Sequence, residues 1–101
     1  MGPERMFRVN QVAPFLATLR NSFWLPIQQL SIVGDPDYIG FTPGGCGGLE
    51  LKACKGSHAE LQKWKGSEIV RCGGFYLKAD PSNWGFVKEL LHNLDKGIRI
   101  Q

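Results

Sequence analysis

Two carboxylates and a lysine are the residues of this 101-residue chain whose types and spacing suit chemistry. Asp37 closes the run Gly34-Asp35-Pro36-Asp37, and Glu50 and Lys52 flank Leu51 thirteen to fifteen positions later. Between them Pro43-Gly44-Gly45-Cys46-Gly47 reads as a turn, so the two motifs are expected on neighbouring strands of one hairpin. Side chains alternate along a strand. Glu50 and Lys52 therefore share one face, while Leu49, Leu51 and Ala53 point the other way into the core. A pairing that sets Asp37 beside Glu50 crowds two negative charges, which repel unless a cation intervenes. Hard oxygen ligands suit Mg²⁺ or Mn²⁺, and the backbone carbonyl of Leu51 is a natural extra ligand. A cation there can make water nucleophilic and offset charge on a phosphoryl group, the needs of phosphodiester hydrolysis. Lys52 would orient or help deprotonate that water, or stabilise charge developing at the phosphate.

The elements that must position these residues follow from periodicity. Residues 4–20 read as a helix with Phe7, Val9, Val12, Phe15, Leu16 and Leu19 on a broad apolar face, and Pro14 is expected to kink or divide it. Strands are expected at 23–30, 37–42 and 48–54. Ser57-His58-Ala59-Glu60 fits a capping box opening a second helix, with Leu61, Trp64, Ile69 and Cys72 toward the core, Gly66 weakening the middle and Gly73-Gly74 ending it. A strand at 75–78 follows. Asp80-Pro81 then reads as an N-cap with proline at the first helical position, ahead of a helix with Trp84, Val87, Leu91 and Leu94 at helical spacing up to Gly97. The expected order is α-β-β-β-α-β-α: one α/β domain over residues 1–101, with a small mixed β-sheet flanked by helices.

In this order the motifs resemble the PD-(D/E)xK nuclease superfamily, and within it the virus-type replication-repair nuclease (VRR-NUC) domain. Its pattern is a helical Glu, Gly-x-Pro-Asp, a Pro-Gly-Gly-type turn, Glu-x-Lys and a Gln on the following helix. Here these correspond to Glu4, Gly34-Asp35-Pro36-Asp37, Pro43-Gly44-Gly45, Glu50-Leu51-Lys52 and Gln62. Gly73-Gly74 before an aromatic strand and Pro81-Ser82-Asn83-Trp84 opening the last helix also look like the family, so the resemblance spans nearly the whole chain. It implies a restriction-endonuclease-like core in which Asp37, Glu50 and Lys52 are catalytic. Asp37, Glu50, the Leu51 carbonyl and Glu4 would hold the metal, and Gln62 would help position the site. Small stand-alone members come from phages and bacteria and look like homodimeric, Mg²⁺- or Mn²⁺-dependent resolvases of four-way (Holliday) junctions. The implied role is thus structure-selective DNA cleavage in recombination, repair or phage DNA processing. The alternatives are a nickase or flap-type nuclease on other branched DNA, and a non-catalytic DNA-binding module on the same scaffold.

Other features read more plainly. Apolar residues at 43% and charged residues at 21% are ordinary for a globular domain, and so small a domain gains stability from a partner subunit. Twelve Lys and Arg against nine acids give +3, too mild to prove a nucleic-acid partner alone. Lys55, Lys63, Lys65 and Arg71, just after the motif, are the candidates to line a phosphate track, although solvated helix charges look the same. Asp35 reads chiefly as a turn residue before Pro36. Cys46, Cys54 and Cys72 lack zinc-like spacing and read as reduced thiols, and Met1-Gly2-Pro3-Glu4-Arg5 lacks the apolar stretch of a secretory signal. The expected setting is the cytoplasm of a bacterium or a phage-infected host. The glycines at 44–48 lack the Gly-Lys-Ser/Thr of a phosphate loop, His58 and His92 suit surface or cap roles, and Trp64 and Trp84 suit packing.

Overall fold

The computed structural model describes residues 2–27, 37–52 and 60–100, without the side chains of residues 60–62. The chain enters through one helical stretch in three pieces: α1 (Pro3–Phe7), a π-helical turn (Arg8–Val12) and α2 (Ala13–Leu16). Pro14 explains the middle piece. It brings no N–H, so the ordinary ladder cannot continue through it, and Ala13 N–H instead reaches back five residues to the Arg8 carbonyl. The helix stays continuous rather than breaking, and it ends at Leu16 instead of running to residue 20.

Strand β1 (Phe23–Pro26) follows, then β2 (Tyr38–Thr42), β3 (Gly45–Leu51), α3 (Glu60–Arg71), β4 (Phe75–Ala79) and α4 (Trp84–Asp95). The element order is the expected one. The sheet order is β1-β2-β3-β4, antiparallel through the first three strands and parallel between β3 and β4, where α3 makes the crossover. The hairpin turn is tighter than the glycine run suggests. Thr42 pairs with Gly45, so only Pro43 and Gly44 lie outside the ladder, and Cys46 and Gly47 belong to β3. Gly45 takes a φ of 139°, open to glycine, and Thr42 Oγ1 spans the turn by accepting the Gly44 N–H at 3.1 Å. The third strand accordingly starts nearer the turn than the expected 48–54, of which 53 and 54 lie outside the described residues.

One core holds the molecule together. Phe7, Val12, Leu16, Leu49, Leu51, Phe75, Leu77, Ala79 and all four periodic residues of α4 (Trp84, Val87, Leu91, Leu94) are buried in it. Phe7 and Phe15 each meet the Trp84 ring edge-on at 5.5 Å, which locks the first helix onto the last. Helix α3 packs on β3 and β4 from the opposite face, which corrects its expected inward side in part: Ile69 does pack inward, against Gly74, and the side chain of Leu61 lies outside the described residues. Trp64 is 60% exposed and Cys72 is exposed, whereas Gly66, expected to weaken the helix, is buried. A Cβ there would sit 2.7 Å from the Tyr76 ring, so glycine is what lets α3 lie close to β4. The start of α4 also differs. Asp80 does cap, accepting the N–H groups of Ser82 and Asn83 at 2.8 and 3.1 Å, but it caps the turn at 81–83, and the helix proper begins at Trp84. Among the described residues no helix is long and apolar enough to cross a membrane.

Candidate active site

The hairpin brings Asp37 and Glu50 together. Asp37 precedes β2 and is held between two strands: its carbonyl accepts the Ile27 N–H at 2.9 Å and its N–H donates to the Leu49 carbonyl at 3.0 Å. Its side chain then crosses to β3, where Oδ2 accepts the Leu51 N–H at 2.8 Å. Asp37 is thus bonded to the residues on both sides of Glu50. Glu50 itself is 5% exposed between Leu49 and Leu51, both fully buried on the other face of the strand. Lys52 Nζ lies 3.7 Å from Glu50 Oε2. The two motifs therefore converge, with Glu50 and Lys52 on one face as strand alternation requires.

The residues that complete this cluster are ones the motifs did not single out. Arg8 Nη2 donates to Asp37 Oδ1 at 3.0 Å from the first residue of the π-helical turn. Phe7, buried at 5% beside it, anchors the helix that delivers the guanidinium. Strand β4 contributes Tyr76 and Lys78, because the parallel register sets Glu50 beside Lys78 and Gly48 beside Tyr76. Burial raises the Tyr76 hydroxyl's pKa, and the negative charges of Glu50 and then Asp37 push it further the same way. Tyr38 is raised by burial as well, with Arg8 opposing and Asp37 adding to the shift. The alternation of Tyr76 and Lys78 with buried Phe75, Leu77 and Ala79 is visible in the sequence; their placement beside Glu50 depends on which strands pair.

The other expected site residues are placed less closely. Glu4 is exposed on α1, and among the described residues no hydrogen bond or ion pair joins it to Asp37 or Glu50. Gln62 stands in the first turn of α3, the helix that covers β3 and β4, and its side chain lies outside the described residues, as do Asp35 and Lys55. Lys63 is exposed and Lys65 half-buried on the same helix; Arg71 is exposed and paired with Glu68 at 2.8 Å. Alongside, two residues from Glu50 on β3, opens a groove of about 740 Å³ bounded by Ile39, Cys46, Gly48, Trp64, Ile69 and Cys72.

In donor chemistry Asp37, bonded to the Leu51 N–H, and Glu50, one residue earlier on β3, supply carboxylate oxygens, the donor type that hard divalent cations take. The two acids act as a pair rather than a larger set: among the described residues no three His, Cys, Asp or Glu side chains converge as a cation site. Their charges are met in the structure by Arg8 on Asp37 and Lys52 near Glu50. The fold and site so defined are those of an α/β protein with a four-stranded mixed sheet and a carboxylate–lysine cluster at its central hairpin. Compared with known proteins, the chain matches no family model, no curated protein and no solved structure.

Proposed function

We propose that this chain is a divalent-metal-dependent DNA endonuclease of the PD-(D/E)xK type, similar to VRR-NUC domains and acting on branched DNA. The observation that carries the reading is the convergence of Asp37, Glu50 and Lys52 from two separated motifs onto one hairpin. Asp37 and Glu50 would hold Mg²⁺ or Mn²⁺, with the Leu51 carbonyl beside them. The metal, when bound, would supply a nucleophilic water and polarise the phosphoryl oxygens. Glu50, shielded from bulk water, keeps its carboxylate in a fixed place without solvent competition. Lys52 offers an ammonium beside Glu50, where it can orient the attacking water or steady charge on the phosphate. Gln62 is proposed to position the site from α3.

A homodimer suits paired cuts at a four-way junction, since two-fold symmetry presents two identical sites. Phe23 and Phe41, stacked at 6.3 Å and 61% and 47% exposed on β1 and β2, give such a partner an apolar face. The test is cleavage of labelled four-way junction, flap and linear duplex with Mg²⁺ or Mn²⁺, paired with a mass measurement in solution. Symmetric metal-dependent cuts confined to the junction are expected. Preferential flap cutting would replace the resolvase reading with the flap-type one. The non-catalytic DNA-binding reading is favoured by one observation, the guanidinium seated on Asp37. Junction binding without cleavage in any metal would establish it instead.

A further inference from the structure

We propose that Arg8 is an exchangeable counter-ion: it neutralises Asp37 in the metal-free site, and a divalent cation displaces it so that its guanidinium binds DNA phosphate. This rests on the nuclease reading above and adds a residue that the sequence motifs do not contain.

The charge balance motivates it. Asp37 and Glu50 carry two negative charges, Arg8 at 3.0 Å and Lys52 at 3.7 Å bring two positive ones, and Lys78 stands opposite Glu50 on β4 with a third. A divalent cation added to that set leaves three positive charges in excess. The excess is relieved when a cationic side chain leaves the carboxylates and a phosphate arrives.

Geometry says which cation leaves. Asp37 Oδ2 is held by the main-chain N–H of Leu51, which belongs to a fully buried residue of a central strand and cannot move away. Oδ1 is held by a side chain on a different element, and that side chain is 39% exposed against 22% for Asp37. Oδ1 is therefore the oxygen a cation can win. Arg8 also has donors in reserve: among the described residues its side chain makes one hydrogen bond, through Nη2, and its Nε is buried without a partner while the guanidinium sits on Asp37. A guanidinium carries five N–H donors in a planar fork that matches phosphate oxygens, so a freed Arg8 can take a phosphate by two bonds. It stands at the first residue of the π-helical turn, a kind of helical irregularity that recurs at functional sites.

An ion pair that only fastened the helix to the hairpin would behave differently on removal. It would loosen the site and weaken metal binding. Exchange predicts effects of opposite sign on two ligands. In Arg8→Gln, Mn²⁺ measured by calorimetry should bind roughly 2- to 5-fold more tightly, as expected for removing one partly exposed competing charge. Four-way junction DNA measured by anisotropy in Ca²⁺ should bind roughly 10-fold more weakly or worse, the scale of one lost charge-assisted contact. Arg8→Lys, which keeps the charge, should return Mn²⁺ affinity toward that of the parent protein, and circular dichroism of both variants controls for folding. Unchanged or weaker Mn²⁺ binding in Arg8→Gln, or unchanged DNA binding, overturns the exchange. If the parent protein takes up no Mn²⁺, or Asp37→Asn takes it up equally well, the nuclease reading falls and the exchange with it.

Discussion

Arg8 and Asp37, 29 residues apart in the chain, meet at 3.0 Å and so tie the first helix to the mouth of the central hairpin. The contact joins two elements that carry different parts of the molecule. Phe7 next to Arg8 is buried against Trp84 of the last helix, while Asp37 is hydrogen-bonded to both neighbours of Glu50. Packing of α1 on α4 thereby decides where a positive charge stands in the carboxylate cluster.

On the nuclease reading, Glu50→Gln and Asp37→Asn should each lower metal-dependent cleavage by about 10²-fold or more, since each removes a charged oxygen ligand at the reacting centre. Stability should respond as well. Glu50 is a buried carboxylate facing Lys52, and neutralising it alone removes the counter-charge beside that ammonium, so the urea midpoint of Glu50→Gln should fall. Asp37→Asn weakens the bonds to Arg8 and Leu51 and should lower it. Cleavage by Glu50→Gln at the parent rate would show that the site is misassigned.

Two helical glycines should give opposite results on replacement by alanine. Gly85 in α4 is exposed with open space around it, so Gly85→Ala should stabilise the fold by up to about 1 kcal/mol through helix propensity. Gly66 in α3 has the same propensity to gain, but its Cβ would press on the Tyr76 ring at 2.7 Å. Overpacking of this kind costs about 1–3 kcal/mol, which exceeds the gain, so Gly66→Ala should lower the thermal midpoint. A raised midpoint for Gly66→Ala would mean that α3 does not lie this close to β4.

The tryptophans separate in the same way. Trp84 is 6% exposed and in edge contact with Phe7 and Phe15, so Trp84→Ala should cost about 3–5 kcal/mol or abolish folding. Trp64→Ala should change stability by about 0.5 kcal/mol or less, because the side chain is 60% exposed. Acrylamide should quench the Trp64 component of the fluorescence first. Trp64 borders the groove beside Glu50, so branched DNA should quench that component too; an unchanged emission on DNA binding would keep DNA away from this groove.

Asp80 gives a pH-dependent contribution whose sign follows from its partners. The Ser82 hydroxyl, followed by the Ser82 and Asn83 N–H groups, holds its carboxyl below the ordinary range, so the folded state favours the ionised form. That stability is present above the carboxyl's unfolded pKa, about 4, and is lost as pH falls through the lowered folded value. Asp80→Ala should therefore cost about 1 kcal/mol at pH 7 by urea unfolding. The gap between parent and variant should narrow below about pH 4. A gap that stays constant into acid would show that the charge of Asp80 contributes nothing.

Local rules in the sequence determined the element order, the apolar stripe of α4 and the placing of Glu50 and Lys52 on one strand face. Each of these depends only on periodicity and turn chemistry over a few residues. The same rules misjudged α3, where helical spacing of Trp64 and Cys72 looked like a core face and Gly66 looked like a weakness. The side of a helix that is buried depends on what packs against it, and here that is Tyr76, a partner supplied by a distant strand. Tertiary structure alone decided that the hairpin turn closes at Pro43 and Gly44, that β4 lies parallel to β3 and brings Tyr76 and Lys78 toward Glu50, and that Arg8 reaches Asp37. Those relationships are set by contacts between residues far apart in sequence, and no local pattern encodes which distant partner a side chain will meet.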